Sequence, residues 1–228
     1  MKKFLSPLLF LCFNSSFGQF AIVNDPDSFV NVRADGQLTS KVVDRLPNGH
    51  LLYCFENKGN WSDIDYIKKE KELNGYIYKD RYKLLSDFPA LTIFQKTSTS
   101  VSLKKDSFEV TLTDAKFDRK KHRFSYVKEA PGQIELIDKK RYWGTDGGMP
   151  TTQLKSIIIK AGQKRISLPQ QALHGLYQPD IYSAEVHYDK TNDTFYIETS
   201  NSDGAGSYYV IWKIVKGIYT DRLVAYGF

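Results

Sequence analysis

The chain has 228 residues, of which 41% are apolar, 25% charged and 14% aromatic, with 32 basic against 26 acidic side chains. At that length a folded chain buries roughly 70% of its extended surface, so a real core is expected. The 15 Tyr, 14 Phe and 3 Trp exclude a disordered chain, and 15 Gly without heptads exclude collagen-like and coiled-coil architectures.

Met1-Lys2-Lys3 is a short positive region, followed by the apolar run Phe4 to Phe13 and then a polar stretch with small residues at Ser16 and Gly18. That three-part layout predicts a secretory signal over 1–18, cleaved between Gly18 and Gln19. The apolar run is shorter than the about 20 residues that span a bilayer. Leu11 stands before Cys12 where lipidation wants a small residue. Loss of the segment lowers the formal charge from +6 to +4 and leaves Cys54 as the sole cysteine. An exported chain without a disulfide must then be held by its core. Between Tyr53 and Phe55, the Cys54 thiol reads as a buried strand residue rather than a nucleophile.

From Ala21 to Leu85 short apolar runs alternate with turn residues. Strands are expected at Ala21–Val23, Phe29–Arg33, Lys41–Leu46, Leu51–Phe55, Trp61–Tyr66 and Gly75–Tyr78. That density argues for a small closed or nearly closed barrel over 19–86. The order Asn31-Val32-Arg33, Lys41-Val42-Val43, Leu46-Pro47-Asn48-Gly49, Gly59-Asn60-Trp61 and Gly75-Tyr76-Ile77 resembles the bacterial SH3-like (SH3b) domain over 21–85. The resemblance implies a targeting or binding module, often on cell-wall proteins and not catalytic by itself. The chain departs from that pattern in a charged stretch, Asp65 to Leu73, and in Ala34-Asp35-Gly36 after Arg33, both expected to be loops.

Ser86-Asp87-Phe88-Pro89 is the expected boundary, and 90–228 is expected to be a larger, mostly antiparallel β-domain. Phe108, Val110 and Leu112 alternate against polar neighbours. Ala184, Val186 and Tyr188 alternate against Glu185 and His187, and Phe195 to Thr199 behaves alike. Tyr208 to Val215 is almost continuously apolar, as a central strand would be. One short helix is expected at Pro169–Tyr177, with Leu168, Ala172, Leu173 and Leu176 on one face and Pro169 in the first turn. The fold class is therefore all-β: a small SH3-like barrel followed by this second domain. No segment of the mature chain is apolar enough for a transmembrane helix, and the lipid-facing band of an outer-membrane barrel is missing.

The four histidines, His50, His122, His174 and His187, form no metal-ligand spacing, so no metal site and no cofactor are expected. Nucleophile-elbow, phosphate-loop and dinucleotide fingerprints are absent. Two loops combine an acidic residue, glycines and an aromatic: Trp143 to Pro150, with Asp146, and Ser202 to Ser207, with Asp203 and running into Tyr208. Asp-Gly is common turn chemistry. The same residues would also suit a cleft in which Trp143, Asp146, Asp203 and Tyr208 hold a ligand. The segment Phe117–His122 and these two loops, in order, are similar to exported bacterial proteins of unassigned role, which implies no activity. The basic clusters Arg119–Arg123 and Lys139–Arg141 read as solvated turns, and no nucleic-acid partner is expected of an exported chain with so small a charge excess.

These features predict an exported, non-catalytic protein of the bacterial cell envelope, periplasmic or secreted. Its expected partner is an envelope glycan or peptide, or another envelope protein. An inhibitor or immunity-type protein that blocks an envelope-acting enzyme is the alternative. An exported enzyme such as a hydrolase, with Asp146 or Asp203 beside a second ionisable group, is the third.

Overall fold

The computed structural model describes residues 18–202 and 204–226, excepting the side chain of Glu56. Apart from Gly18, the expected export segment lies outside the described residues, as does Asp203. Among the described residues the fold is nearly all β, with antiparallel sheets and one short α-helix.

Seven strands form the first sheet: β1 (Gln19–Val23), β2 (Phe29–Arg33), β3 (Val42–Pro47), β4 (Leu51–Lys58), β5 (Trp61–Lys68), β6 (Lys71–Tyr78) and β7 (Tyr82–Leu84). Their order is β3-β2-β6-β5-β4-β1-β7, and the sheet curls into a half-barrel. Its concave face carries every second residue, among them Ala21, Val32, Leu46, Cys54, Ile64 and Ile77, all buried. Burial pushes the Cys54 thiol pKa upward, as expected of a packed strand residue. The strands β2 and β6 meet through one pair, Arg33 and Tyr76. There a Cβ on Gly75 would lie 2.5 Å from Val32 Cγ1 and 2.9 Å from the Arg33 carbonyl, so only glycine lets the two backbones close.

The charged stretch Asp65–Leu73 is not the expected loop. It is the far half of the β5–β6 hairpin, turned by Lys69 and Glu70 at φ 51° and 63° with Lys68 opposite Lys71. Two positive φ values match the twist of the flanking strands. Tyr66 keeps the inward alternation going, its hydroxyl donating to Asp44 at 3.1 Å, while Lys68 Nζ lies 2.5 Å from the same carboxylate.

A 3₁₀ turn at Leu85–Asp87 leads into three further sheets, two large and one a two-stranded hairpin. The strands β8 (Thr92–Thr97), β9 (Ser100–Lys105), β10 (Phe108–Lys116), β13 (Thr152–Ala161) and β14 (Lys164–Ser167) form one, in the order β14-β13-β10-β9-β8. The small hairpin β11 (Phe124–Tyr126) and β12 (Ile134–Ile137) lies between β10 and β13 in the chain. The last four strands, β15 (Glu185–Asp189), β16 (Thr194–Asn201), β17 (Tyr208–Val215) and β18 (Ile218–Tyr226), make a meander. Val101, Leu112 and Ile157 from the five-stranded sheet pack with Val186, Ile197, Val210 and Trp212 from the meander.

The helix is shorter than expected: α1 covers only Gln170–Leu173 and stops because His174 is extended and Gly175 turns at φ 79°. Leu168, Ala172, Leu173 and Leu176 are nonetheless all buried. The Trp212 indole donates to the Ala172 carbonyl at 2.7 Å, and Arg222 Nη1 donates to the Ala172 and His174 carbonyls at 2.9 Å, so this irregular segment keeps its backbone satisfied.

The meander is covered on both sides. Along β17, Val210 and Trp212 face the sandwich core, while Ile211 faces Phe20, Ile22, Leu51 and Tyr53 on the convex side of the half-barrel. Leu223 and Ala225 of β18 join the same seam. Lys213 Nζ donates across it to the Gly49 carbonyl at 2.5 Å. Each described sheet draws its strands from one side of Leu85–Asp87, yet the seam is a continuous apolar core. The connecting residues Pro89–Leu91 run along the edge of β15, with Tyr188 N–H donating to Pro89 and Leu91 N–H to Val186. Among the described residues no helix is long and apolar enough to cross a membrane.

Candidate functional site

The two glycine loops lie against each other. Gly144 N–H donates to the Gly206 carbonyl at 3.0 Å, and Ser202 Oγ donates to the Gly144 carbonyl at 3.2 Å. The glycines there serve close packing of main chain. A Cβ on Gly206 would sit 2.7 to 2.9 Å from the Thr145 backbone, and one on Gly144 would sit 2.0 Å from the Tyr177 carbonyl oxygen. Asp146 is exposed. Tyr208 is buried, its hydroxyl donating to the Tyr177 carbonyl at 3.0 Å, and burial pushes that phenol's pKa upward. Trp143 meets Tyr208 at 6.2 Å between ring centroids but packs more closely on Tyr226, at 4.8 Å, with the Arg141 guanidinium 4.3 Å from its ring centre. Trp143 and Asp146 are thus brought to one region, with Tyr208 buried beneath it.

Trp143 opens onto a groove of about 270 Å³ between the meander and the β5–β6 hairpin, where Asp65, Glu72 and Asn74 face Tyr226. Burial, reinforced by Asp63 and Glu72, pushes the Asp65 carboxyl up to about 6. Arg141 closes one end, holding both Glu72 oxygens at 2.9 and 3.1 Å and the Tyr226 hydroxyl.

A groove of about 360 Å³ lies on the half-barrel beside Trp61. Trp61 begins β5 and packs edge-on against Tyr78 of β6, 5.4 Å between centroids at 83°. Gly36 lets the preceding loop pass the indole, since a Cβ there would already be 3.1 Å from Trp61 Cβ. Arg33 lies 5.9 Å from the Trp61 ring centre and is fixed by donating to the Ser40 carbonyl at 2.7 Å. Phe29 and Val30 continue the apolar floor, and Leu38, 75% exposed, stands at the rim. At the other end the Asp25 carboxylate, itself buried, meets Arg81 Nη1 at 3.3 Å. An aromatic floor with one fixed guanidinium and a carboxylate–guanidinium pair at its end can stack an apolar or sugar face and orient its polar groups.

Two constellations escaped the reading of motifs. His122 Nδ1 lies 2.7 Å from Asp138, which also lies 3.5 Å from His174 Nε2. Burial opposes ionisation of Asp138, but the Arg123 amide and His122 hold its pKa below the usual carboxylate range. At the seam, Glu185, His187 and Glu198 bring three ligand atoms within 4.8 Å of one another. Burial works against protonation of His187; Glu198, the Phe88 carbonyl and Glu185 outweigh it and raise its pKa. The spacing Glu185-x-His187 on a strand was the available signal, because residues two apart share a face. No protein-family model, no curated protein and no solved structure matches the chain.

Proposed function

We propose that this is an exported, non-catalytic binding protein of the bacterial cell envelope, with the half-barrel unit as the binding or targeting module and an envelope glycan or peptide as its ligand. The observation that carries this reading is the Trp61 groove: an aromatic floor, a fixed guanidinium and an exposed apolar rim on one face of the half-barrel. The resemblance of residues 21–85 to bacterial SH3-like domains and the signal-like pattern of 1–18 support the same reading. The glycine loops are occupied in packing their own backbones, which leaves the groove as the better place for a ligand.

The test is retention by purified peptidoglycan sacculi and titration with soluble muropeptides. Truncating a central aromatic in a binding site costs about 2 kcal/mol or more. Trp61→Ala should therefore weaken binding by about thirty-fold while leaving the circular dichroism spectrum unchanged. Wild-type protein that passes freely through sacculi, or a Trp61→Ala variant that binds like wild type, would reject the proposal.

A further inference from the structure

We infer that Glu185, His187 and Glu198 form a binding site for a divalent transition-metal ion at the seam between the half-barrel and the meander. Strand register assembles the three ligands. Glu185 and Glu198 are direct partners across β15 and β16, and His187 is two residues from Glu185 on the same face. Two carboxylates opposite each other repel and are destabilising unless a cation lies between them. His187 is only 4% exposed, and its Nε2 makes no hydrogen bond among the described residues. That atom points between the two carboxylates, 3.3 Å from Glu198 Oε1 and 3.5 Å from Glu185 Oε2.

Those distances match a coordination polyhedron. Ligands bound at about 2.0–2.1 Å in a tetrahedron stand about 3.3–3.4 Å apart along its edges. The other ring nitrogen, Nδ1, lies 3.3 Å from the Phe88 carbonyl. A proton on Nδ1 directed at that carbonyl leaves the Nε2 lone pair free toward the carboxylates, the arrangement by which backbone carbonyls orient metal-binding imidazoles. Phe88 belongs to the connecting segment, so the chain that joins the two units also sets this ring. One imidazole with two carboxylates suits zinc, manganese or iron(II) better than calcium or magnesium, which prefer oxygen throughout. Glu185 and Glu198 also line a cavity of about 220 Å³ bounded by Tyr53, Tyr209, Ser86 and Ser200. The remaining coordination positions of the ion would face this cavity, open to water or to an anionic ligand.

The experiment is Zn²⁺ binding to the whole chain, purified without a histidine tag, by competition with a chromophoric chelator, with the absorption spectrum of Co²⁺ as a second readout. Stoichiometric binding is expected, with a tetrahedral Co²⁺ spectrum. Glu185→Gln and Glu198→Gln should each weaken Zn²⁺ by at least about ten-fold, since even an outer-sphere partner is worth about that much. The Glu185 side chain is 67% exposed, so its variant tests the site without threatening the fold. His187→Gln should abolish binding if it folds. Failure of the wild type to compete for Zn²⁺ would show that the three side chains do not hold a metal. Binding that survives both Glu variants but is lost in His122→Gln would move the metal to the His122, Asp138 and His174 cluster. Either result overturns the inference.

Discussion

Replacing Ile211 by Ala tests whether the half-barrel and the sandwich share one core. Ile211 is fully buried in the middle of β17, on the face that meets Phe20, Ile22, Leu51 and Tyr53. The change removes three carbon groups at about 0.8 kcal/mol each. A cavity that the flanking sheets cannot fill adds to this, giving about 3–4 kcal/mol in total. With a urea slope of about 3 kcal/mol/M, the midpoint should fall by about 1 M at unchanged slope. Far-ultraviolet circular dichroism and tryptophan fluorescence should still shift together. The discriminating probe is Cys54, buried in the half-barrel core and away from the seam. Pulsed alkylation followed by mass spectrometry of its peptide reports opening of the half-barrel alone. If the core is shared, Ile211→Ala exposes Cys54 at the same lowered urea concentration. Cys54 protection that stays at the wild-type midpoint, or a loss below about 1 kcal/mol, would refute a continuous core.

Gly206→Ala should cost about 1–3 kcal/mol, because its Cβ would press on the Thr145 backbone rather than on a side chain that can move, whereas Gly148→Ala, with nothing within 4 Å, should be neutral; thermal melts of the pair check this. For Asp65, whose carboxyl rises from 3.8 to about 6, the stabilising form is the protonated one, fully present below 3.8 and lost as pH rises through about 6. The rise corresponds to about 3 kcal/mol undiminished, and screening at this half-exposed site reduces it to about 1 kcal/mol. Asp65→Asn should therefore melt higher than wild type at pH 8 and together with it at pH 3.5; equal melting temperatures at pH 8 would contradict the burial argument.

The fold was most legible where a strand has two different faces. Val110 and Leu112 in β10 alternate with polar neighbours, and each was readable as inward. The helix between Leu168 and Leu176 was legible in its apolar spacing but is shorter than that spacing suggests, because Trp212 and Arg222 satisfy the carbonyls of an irregular backbone around Leu173. The edge strand β8 escaped notice because all six of its residues are exposed and leave no inward pattern. The alternation that puts Val186 inward correctly puts His187 outward with respect to the sandwich. That outward side is covered by the connecting segment and the half-barrel, so His187 is buried after all. The spacing Glu185-x-His187 gave half of the cluster at the seam, and the other half depends on the pairing of Glu185 with Glu198, a register that no local spacing encodes. For the glycine loops, the sequence showed the turn chemistry but not that the loops use their glycines on each other.

The seam brings Phe20 and Ile22 of β1 against Leu223 and Ala225 of β18. Contacts spanning almost the whole chain carry the largest loop-closure cost and form late. The half-barrel can assemble its concave core early, but its convex apolar face has no cover until the last hairpin has paired. During that interval Tyr53 and Leu51 stand open on β4, the kind of surface on which partly folded chains associate. Refolding should therefore be slowed and made concentration-dependent by this one waiting surface, and any chaperone that serves the chain has its target there.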